Sequence, residues 1–287
     1  MIIDPEEIPV VKLQSYLQAS VSPRPIAFVS SIDREGHVNL SPFSFFNVFS
    51  MNPPILIFSP SRRVRNNTTK HTLENVQEVP EVVINMVNYQ MVQQTSLASC
   101  DFPKGVNEFV KAGFSEVAST KIIPPRVGES HVSFECKVNQ VIPLGTEGGA
   151  GNLVICEVLL MHVDDNVLDE QGRIDPYKMD SVARMGNDYY CRAQSEAVFT
   201  VPKPNEKIGV GMDAIPLSIR HSKILTGNDL GILGNIEKLP DADSLEQFKQ
   251  ENLFTELSNQ SKEQVHVLAK GFLAEGNVEA AWKVLLS

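Results

Sequence analysis

The sequence has no long apolar run and no excess of basic residues, and each absence excludes a class of protein. No apolar segment approaches the roughly 20 residues that a membrane-spanning helix needs. The 287 residues include 25 Lys and Arg against 35 Asp and Glu, which gives a formal net charge of -10. Because phosphate backbones select basic surfaces, we expect no nucleic acid among the partners of this chain. Because no apolar run is long enough to span a bilayer, we expect no membrane among them either.

The N-terminal segment lacks the features of a secretion signal. MIIDPEEIPVVKLQ is acidic, whereas a signal peptide begins with basic residues and continues with apolar ones. With 42% hydrophobic residues, the chain can bury a substantial core. We therefore expect a globular, cytoplasmic protein.

Cysteine and histidine are too scattered to predict a disulfide framework or a metal site. No C-x-x-C or H-E-x-x-H spacing occurs, and two of the cysteines lie in apolar, strand-like runs. We expect buried free thiols and no metal. The four cysteines are Cys100, Cys136, Cys156 and Cys191.

Common nucleotide-binding and hydrolase motifs are missing or fail. GVGMDA (209–214) fits the dinucleotide pattern G-x-G-x-x-A, but Pro216 follows where the pyrophosphate-binding helix would run. The sequence contains neither a P-loop nor a G-x-S-x-G elbow. It therefore predicts no Rossmann domain, and we name no catalytic residue.

The first two thirds of the chain show the pattern of short strands and turns that is typical of an antiparallel β protein. Residues 25–33 and 38–50 flank a turn at Gly36 and predict a hairpin, and short strands are expected at 53–60 and 81–88. From residue 132 to 139, apolar and polar side chains alternate, which predicts a half-buried strand. Residues 152–165 are apolar at nearly every position and predict a central strand. Helices are expected as insertions at 69–79, 89–99 and 105–113, so a barrel or sandwich is favoured.

After Pro204 the chain becomes helical, which divides it into a domain of residues 1–204 and an extension of residues 205–287. Ser244 with Gln247 and Ser261 with Gln264 match capping boxes, and Asn277 is a further N-cap candidate. The last helical pair resembles a single tetratricopeptide repeat. A lone repeat cannot bury its own face, so we expect it to pack on the barrel or on a partner subunit.

The segment SPSRRVRNNTTKHT (59–72) concentrates positive charge in an otherwise acidic chain. It follows a strand and precedes a helix, so its side chains, its backbone N–H groups and the helix N-terminus can converge on a phosphate. Residue types alone favour a solvated surface loop equally well. Upstream, Ser41, Ser44 and Asn47 alternate with phenylalanines, which offers the polar and flat apolar contacts that a flavin ring requires.

Several motifs occur in one order: SPRPIAFVSSID, NLSPFSFFNVFSMNPP, SPSRRVRNNTTKHTLENV, EFVKAGF, ESHVSFECKV and GRIDP with ARMGNDYYCRA. Together they resemble the flavin reductase-like, FMN-binding split-barrel family, which includes flavoredoxins and the flavin reductase components of two-component monooxygenases. The resemblance covers about residues 5–195. It implies a mainly β fold, a six-stranded Greek-key split β-barrel with inserted helices, which forms homodimers and holds FMN near their interface. The C-terminal helical extension has no counterpart in the minimal family domain.

The resemblance also implies the site residues. Those bordering the flavin ring would be Asn39, Ser41, Ser44, Phe45, Phe46 and Asn47, with Ser30 and Ser31 on the neighbouring strand. Those serving the phosphate would be Arg62, Thr68, Lys70 and Thr72, with Ser61 in the same cofactor set. The family often has an acid where this chain has His71. Arg184 matches a family arginine near the flavin or the interface, although a structural ion pair would explain it equally well.

The expected activity is that of an NAD(P)H:flavin oxidoreductase, in which hydride passes from NADH or NADPH to FMN. An FMN-bound electron carrier without its own NAD(P)H activity, like flavoredoxin, has the same sequence features. Related split barrels that bind pyridoxal phosphate, haem or a deazaflavin are a third alternative. A monooxygenase or another electron-acceptor protein is a further expected partner.

Overall fold

The computed structural model describes residues 1–204, 207–249 and 260–287. It divides the chain into two compact units, Met1–Phe199 and Thr200–Ser287. None of the helices within these described ranges is both long enough and apolar enough to cross a bilayer.

The first unit is built on a seven-stranded sheet in which every neighbouring pair is antiparallel. Its strand order is β2-β1-β5-β8-β9-β4-β3, and two small sheets pair β6 with β7 and β10 with β11. The strands are β1 Ala27–Ile32, β2 Val38–Phe43, β3 Phe46–Met51, β4 Pro54–Phe58, β5 Glu81–Met86, β6 Glu116–Val117, β7 Arg126–Val127, β8 Val132–Pro143, β9 Asn152–Val163, β10 Val182–Gly186 and β11 Tyr189–Arg192.

The two edge strands of the sheet are consecutive in sequence. β2 and β3 lie at opposite edges, yet only Ser44 and Phe45 separate them. Three Cα steps from Phe43 to Phe46 span at most about 11 Å, so the sheet must curl until its edges meet at this turn. The expected large antiparallel sheet is confirmed, with seven strands where the family resemblance implies six. Residues 38–50, predicted as one extended segment, form two strands because the chain crosses between edges here.

The core of this unit lies on both faces of β1. Ala27 and Val29 pack into the interior of the curled sheet with Phe43 and Phe58. Phe28 points the other way and packs against Phe114 at a centroid distance of 5.1 Å. β9 lies between β8 and β4, which confirms its predicted internal position.

Helices are inserted between the strands near the three predicted positions, and two helices that were not predicted lie before and after them. The helices of the first unit are α1 Val10–Ser20, α2 His71–Glu78, α3 Val92–Leu97, α4 Glu108–Ala112 and α5 Pro176–Met179. α4 begins at Asn107, whose side chain accepts the Phe109 N–H, and ends at Gly113 with φ 73°. α1 was not predicted, although Val10, Leu13 and Leu17 recur at the spacing of one helical face; none of its residues is buried.

The alternation in β8 predicts that its polar face is exposed, but Glu135 on that face is buried. Its side chain is fully buried because residues 119–125 cover it. The carboxylate accepts the backbone N–H groups of Thr120 at 2.7 Å and Lys121 at 2.6 Å, and it contacts His162 Nε2 at 2.6 Å. The alternation alone could not reveal a covering segment that comes from another part of the chain.

The second unit contains α6 Leu217–Arg220, α7 Gly227–Gly234, α8 Ala242–Lys249, α9 Lys262–Ala274 and α10 Val278–Leu286. Trp282 of α10 is fully buried and donates its indole N–H to the carbonyl of Leu233 in α7 at 3.0 Å. The final helical pair therefore buries its apolar face within its own unit. This corrects the expectation that it must pack on the barrel or on a partner.

The predicted caps of the second unit are partly confirmed. Ser261 forms the capping box with Gln264, and Asn277 caps α10. Ser244 is not a cap, because it lies inside α8 and its N–H donates to Asp241 Oδ1 at 2.8 Å. Thr226 and Asp229 form a capping box at α7 that the sequence reading missed.

All four cysteines are free thiols, as predicted, although only two are buried. Cys136 and Cys156 lie in the core of the curled sheet, where burial raises their pKa values. Cys100 is exposed and Cys191 is half-buried.

We expect Glu135 to make the free energy of unfolding depend on pH in the acid range. Burial alone would raise the pKa of Glu135, but the hydrogen bonds from Thr120 and His162 outweigh it, so the pKa lies below its usual value. Its ionised form stabilises the fold above the unfolded pKa of about 4.3, and this contribution is lost as the pH falls through the lower folded pKa. We expect Glu135→Gln to lower the free energy of unfolding by about 3 kcal/mol at neutral pH.

Urea unfolding at a series of pH values measures this effect, and Glu135→Gln should flatten the acid limb of the stability profile. Glu157→Gln is the matched control, since that carboxylate accepts a hydrogen bond from Asn139 at the surface. It should change stability by less than about 0.5 kcal/mol. Equal losses in the two variants would contradict the role assigned to Glu135.

Candidate functional site

A large cavity of the first unit opens at the turn between the two edge strands of the sheet. It has a volume of about 450 Å³ and brings together α1, the β2–β3 turn, the basic segment after β4 and the β8–β9 loop. Its lining includes Gln14, Gln18, Pro42, Ser44, Phe45, Ser59, Ser61, Arg62, Arg63, Lys70, Asp101 and Gly149. A volume of this size lies within the range that small-molecule ligands occupy.

The basic segment is fastened at its start by the β8–β9 loop. The Arg62 N–H donates to the carbonyl of Ala150 at 2.8 Å, and the Gly149 N–H donates to the carbonyl of Arg62 at 3.0 Å. The Arg62 guanidinium donates to Asn67 Oδ1 and to the Asn67 carbonyl, both at 2.6 Å. Within the described part of the chain, no carboxylate forms an ion pair with Arg62.

Glycine is favoured where these two loops touch. A Cβ added to Gly148 would lie 3.0 Å from the Val64 carbonyl oxygen and 3.1 Å from that of Arg63. Backbone atoms cannot yield as a flexible side chain would. The Gly-rich loop between β8 and β9 therefore supports the basic segment as well as connecting two strands.

Three cations of the basic segment converge on Asp101. Arg63 Nη2 lies 3.1 Å from Asp101 Oδ1, Lys70 Nζ lies 3.3 Å from the same oxygen, and Arg65 contacts Oδ2. Burial alone would raise the pKa of Asp101, but the Arg63 hydrogen bond and the Lys70 charge hold it below its usual value. The cluster stays positive overall.

The opposite wall of the cavity is aromatic and polar. Phe45 is 42% exposed beside Ser44, and its carbonyl accepts the Ser59 N–H at 2.8 Å. The Arg24 guanidinium lies 6.0 Å from the Phe45 ring centroid. Arg24 is buried, its Nε lacks a hydrogen-bond partner among the described residues, and burial together with the charge of Arg184 lowers its pKa.

Arg184 belongs to a neighbouring cavity of about 360 Å³, which shares Ser44 with the first. Its guanidinium stacks 4.5 Å from the Tyr190 ring centroid and donates to the Asn187 carbonyl at 2.6 Å. Its backbone pairs with that of Arg24 through two hydrogen bonds. The structural ion pair considered for Arg184 is absent within the described residues, since none of the acids there pairs with it.

A small polar cavity of about 20 Å³ lies on the other side of Lys70 and Asp101. Asn39 Nδ2 donates to Thr72 Oγ1 at 2.9 Å, and the buried Glu108 carboxylate accepts the Leu40 N–H at 2.8 Å. Burial raises the pKa of Glu108. Burial lowers the pKa of His71 and outweighs the opposing charge of Glu74, which favours the neutral form of the imidazole.

The structure distributes the predicted site residues over several environments. The main cavity gathers Ser44, Phe45, Ser61, Arg62 and Lys70. The small cavity gathers Asn39, Ser41, Lys70 and Thr72. Ser30 and Ser31 are fully buried, where Ser30 donates to the Pro125 carbonyl and Ser31 accepts from Asn75. Phe46 packs on the core, while Asn47 and Thr68 are exposed.

The predicted cofactor site did not include four residues that line the cavity: Arg63, Asp101, Gln14 and Gln18. The i, i+4 spacing of the two glutamines on a helix was an available signal. No sequence pattern indicated Asp101, because it lies 38 positions from Arg63 and contacts it only in the tertiary structure. Arg63 stood within the basic run, but no local pattern separates its role from that of Arg62.

A trio of possible metal ligands lies outside the cavities just described. Asp33, Glu35 and His37 bring ligand atoms within 4.8 Å of one another in the turn after β1. Asp33 Oδ1 accepts the N–H groups of Glu35 and His37, so the turn itself accounts for this arrangement.

Comparison with known proteins places this geometry in a family. The model of the Flavin reductase like domain matches residues 19–179. An uncharacterized protein of Aquifex aeolicus (strain VF5) is 39% identical over 181 residues, which cover 63% of this chain and 90% of that protein.

Two solved structures share the fold of the first unit. Nitrilotriacetate monooxygenase component B from Bacillus cereus superposes with a TM-score of 0.65 at 28% identity, covering 70% of this chain and 98% of that one. A Shewanella frigidimarina NCIMB 400 protein described as a flavin reductase with a split barrel domain has a TM-score of 0.60 at 25% identity, covering 71% and 99%. Because the family model matches more than half of its length, this chain belongs to the flavin reductase-like family of flavoprotein oxidoreductases.

Proposed function

We propose that the protein is an FMN-dependent NAD(P)H:flavin reductase. The observation that supports this most strongly is the cavity of about 450 Å³ with a cationic segment on one wall and an aromatic turn on another. A phosphate needs the first wall and a flavin ring needs the second. Family membership supports the flavin, and a cavity of this volume favours a mononucleotide.

The basic segment offers a phosphate both positive charge and hydrogen-bond donors. Arg62 has no carboxylate partner within the described ranges, and Arg63 and Lys70 carry further N–H groups that Asp101 engages in this structure. Lys70 also precedes α2, whose first N–H groups lie at the same end of the segment. In this proposal Arg62, Arg63, Lys70 and Ser61 bind the phosphate, while Thr68 and Thr72 support the segment from outside the main cavity.

The ring fits the wall formed by the β2–β3 turn. Phe45 offers a partly exposed apolar face and Ser44 offers a hydroxyl beside it. Asn39 and Ser41 lie behind the turn on β2, at the small cavity. We assign these residues to orienting the ring and excluding water, with Arg184 at the adjoining cavity where the ring and a second substrate would meet.

When bound, FMN supplies a ring that accepts hydride from a nicotinamide and passes electrons on. The chain's part is positioning and electrostatics: its cations hold the phosphate, and its turn fixes the ring against Phe45. This hydride transfer needs no acid or base from the protein, and we therefore assign no catalytic residue.

A homodimer and an acceptor protein belong to the same proposal. Strand β3 is an unpaired edge of the sheet with three exposed apolar residues: Val48, Phe49 and Met51 are 47%, 63% and 81% exposed. Such an edge is usually covered, and a second copy would cover it. The Bacillus cereus protein bears the name of a monooxygenase component, which supports an oxygenase as acceptor. Four free thiols agree with a cytoplasmic setting.

Anaerobic reduction tests the activity. After reconstitution with FMN, addition of NADPH or NADH should bleach the visible flavin absorbance rapidly, and the faster donor is the preferred one. Bleaching by dithionite but by neither nicotinamide would instead identify an electron carrier. A protein that stays colourless after incubation with FMN would refute both.

The phosphate assignment predicts a selective loss in Arg62→Gln. Losing a charge-assisted hydrogen bond of about 1.5–3 kcal/mol should weaken FMN binding by roughly ten- to a hundredfold. Riboflavin, which has no phosphate, should bind the variant and the parent equally. Fluorescence titration measures both ligands, and Arg173→Gln on an exposed turn is the control. A parallel loss for riboflavin would indicate a disturbed fold instead.

The dimer assignment predicts that Phe49→Asp yields a monomer. A charge on the exposed edge strand opposes pairing with a second copy. Light scattering after gel filtration reports the mass, and Val110→Asp, on an equally exposed apolar position of α4, should leave it unchanged. A parent protein that is already monomeric at micromolar concentration would refute the dimer.

A further inference from the structure

Asp101 is the one acid at the centre of the cationic cluster. Arg63 uses all of its guanidinium nitrogens: Nε and Nη2 donate to Asp101 Oδ1 at 3.2 Å and 3.1 Å, while Nη1 donates to Thr68 Oγ1 and to the Thr69 carbonyl. Lys70 Nζ points to the same carboxylate oxygen. Two of the Arg63 nitrogens and the Lys70 ammonium group, all at the cavity, are therefore already engaged by a carboxylate of the chain itself.

This carboxylate sits in the ligand cavity and not in the core. The Asp101 side chain is 36% exposed and lines both the main cavity and the small polar cavity. Ion pairs with that exposure contribute little to stability. Stability alone therefore gives little reason for three cations to converge on one acid from a different loop.

We propose that Asp101 is an internal competitor for the cofactor phosphate, holding the donors of Arg63 and Lys70 until a phosphate monoester displaces it. The identity of the ligand as FMN rests on the function proposed above, whereas the competition itself applies to any phosphate anion. Its consequence is selectivity, because only a ligand with a strong anion gains enough from the cluster to displace a charged side chain.

The charges support displacement. Three cations and one carboxylate leave two positive charges, and a phosphate monoester near neutral pH carries close to two negative ones. If Asp101 kept its place, it would repel the phosphate across a few ångströms. If it swings away, its exposed side chain meets water at little cost. In both cases the negative charge of Asp101 opposes binding.

A purely organising role for Asp101 predicts the opposite sign. An organiser would hold Arg63 and Lys70 in position, so its replacement would weaken phosphate binding. Asp101→Asn separates the two roles, since the amide oxygen still accepts from Arg63 while the charge is gone. Asp101→Glu keeps the charge and should behave like the parent protein.

The experiment compares FMN, riboflavin and inorganic phosphate as probes, at low ionic strength, by calorimetric or fluorescence titration. Asp101→Asn should bind FMN on the order of tenfold more tightly than the parent, and inorganic phosphate more tightly as well, with riboflavin unchanged. The gain should shrink in concentrated salt. Asp169→Asn removes one negative charge from a pair with Arg173 on an exposed turn, and should change none of these affinities.

Weaker or unchanged binding of FMN and phosphate by Asp101→Asn would overturn the competition while leaving the flavin function intact. An equal gain for riboflavin would also overturn it, because the effect would not depend on the phosphate. If no variant binds FMN but Asp101→Asn binds inorganic phosphate more tightly, the flavin function fails and the competition stands.

Discussion

The two-residue connection between β2 and β3 is the constraint on which the site depends. Strands at opposite edges of a sheet can be joined by Ser44 and Phe45 only if the sheet curls and brings its edges together. The same turn places a partly exposed aromatic ring and a hydroxyl at the gap. Because β4 pairs with β3, the end of β4 delivers the basic segment to that gap as well. Curvature and ligand cavity therefore have one origin.

Electrostatics explain why the basic segment needs so many supports. Several cations within ten residues repel one another, and the structure offsets this with the Arg62–Asn67 bonds, the backbone bonds to the β8–β9 loop and the Asp101 carboxylate. The first two supports are neutral and fix geometry. Asp101 is charged, and in our proposal a phosphate would compete with it for these cations. Local positive charge in an acidic chain is thus kept available without being left unpaired.

Several buried polar groups of the first unit attach a segment that covers the sheet. Glu135 holds residues 120 and 121, Glu108 holds the edge strand β2 at Leu40, and Ser30 binds Pro125. Unsatisfied polar atoms are costly in a core, so these contacts specify where each segment lies. Arg24 likewise donates through Nη1 to the carbonyls of Gln18 and Val21 at the end of α1, while its Nε has no partner among the described residues.

The sequence by itself determined the class of fold, the positions of most strands and helices, the change to helices in the C-terminal part and the basic segment of the site. These features depend on local alternation, turn residues and charge, which a chain carries in its order. It could not place Ser30 and Ser31 in the core, bury Glu135 or bring Asp101 to Arg63. Those outcomes depend on which distant segments cover a face, and only tertiary packing decides that. The same limit applies to the curled sheet, since strand order, unlike strand position, is not written in any local pattern.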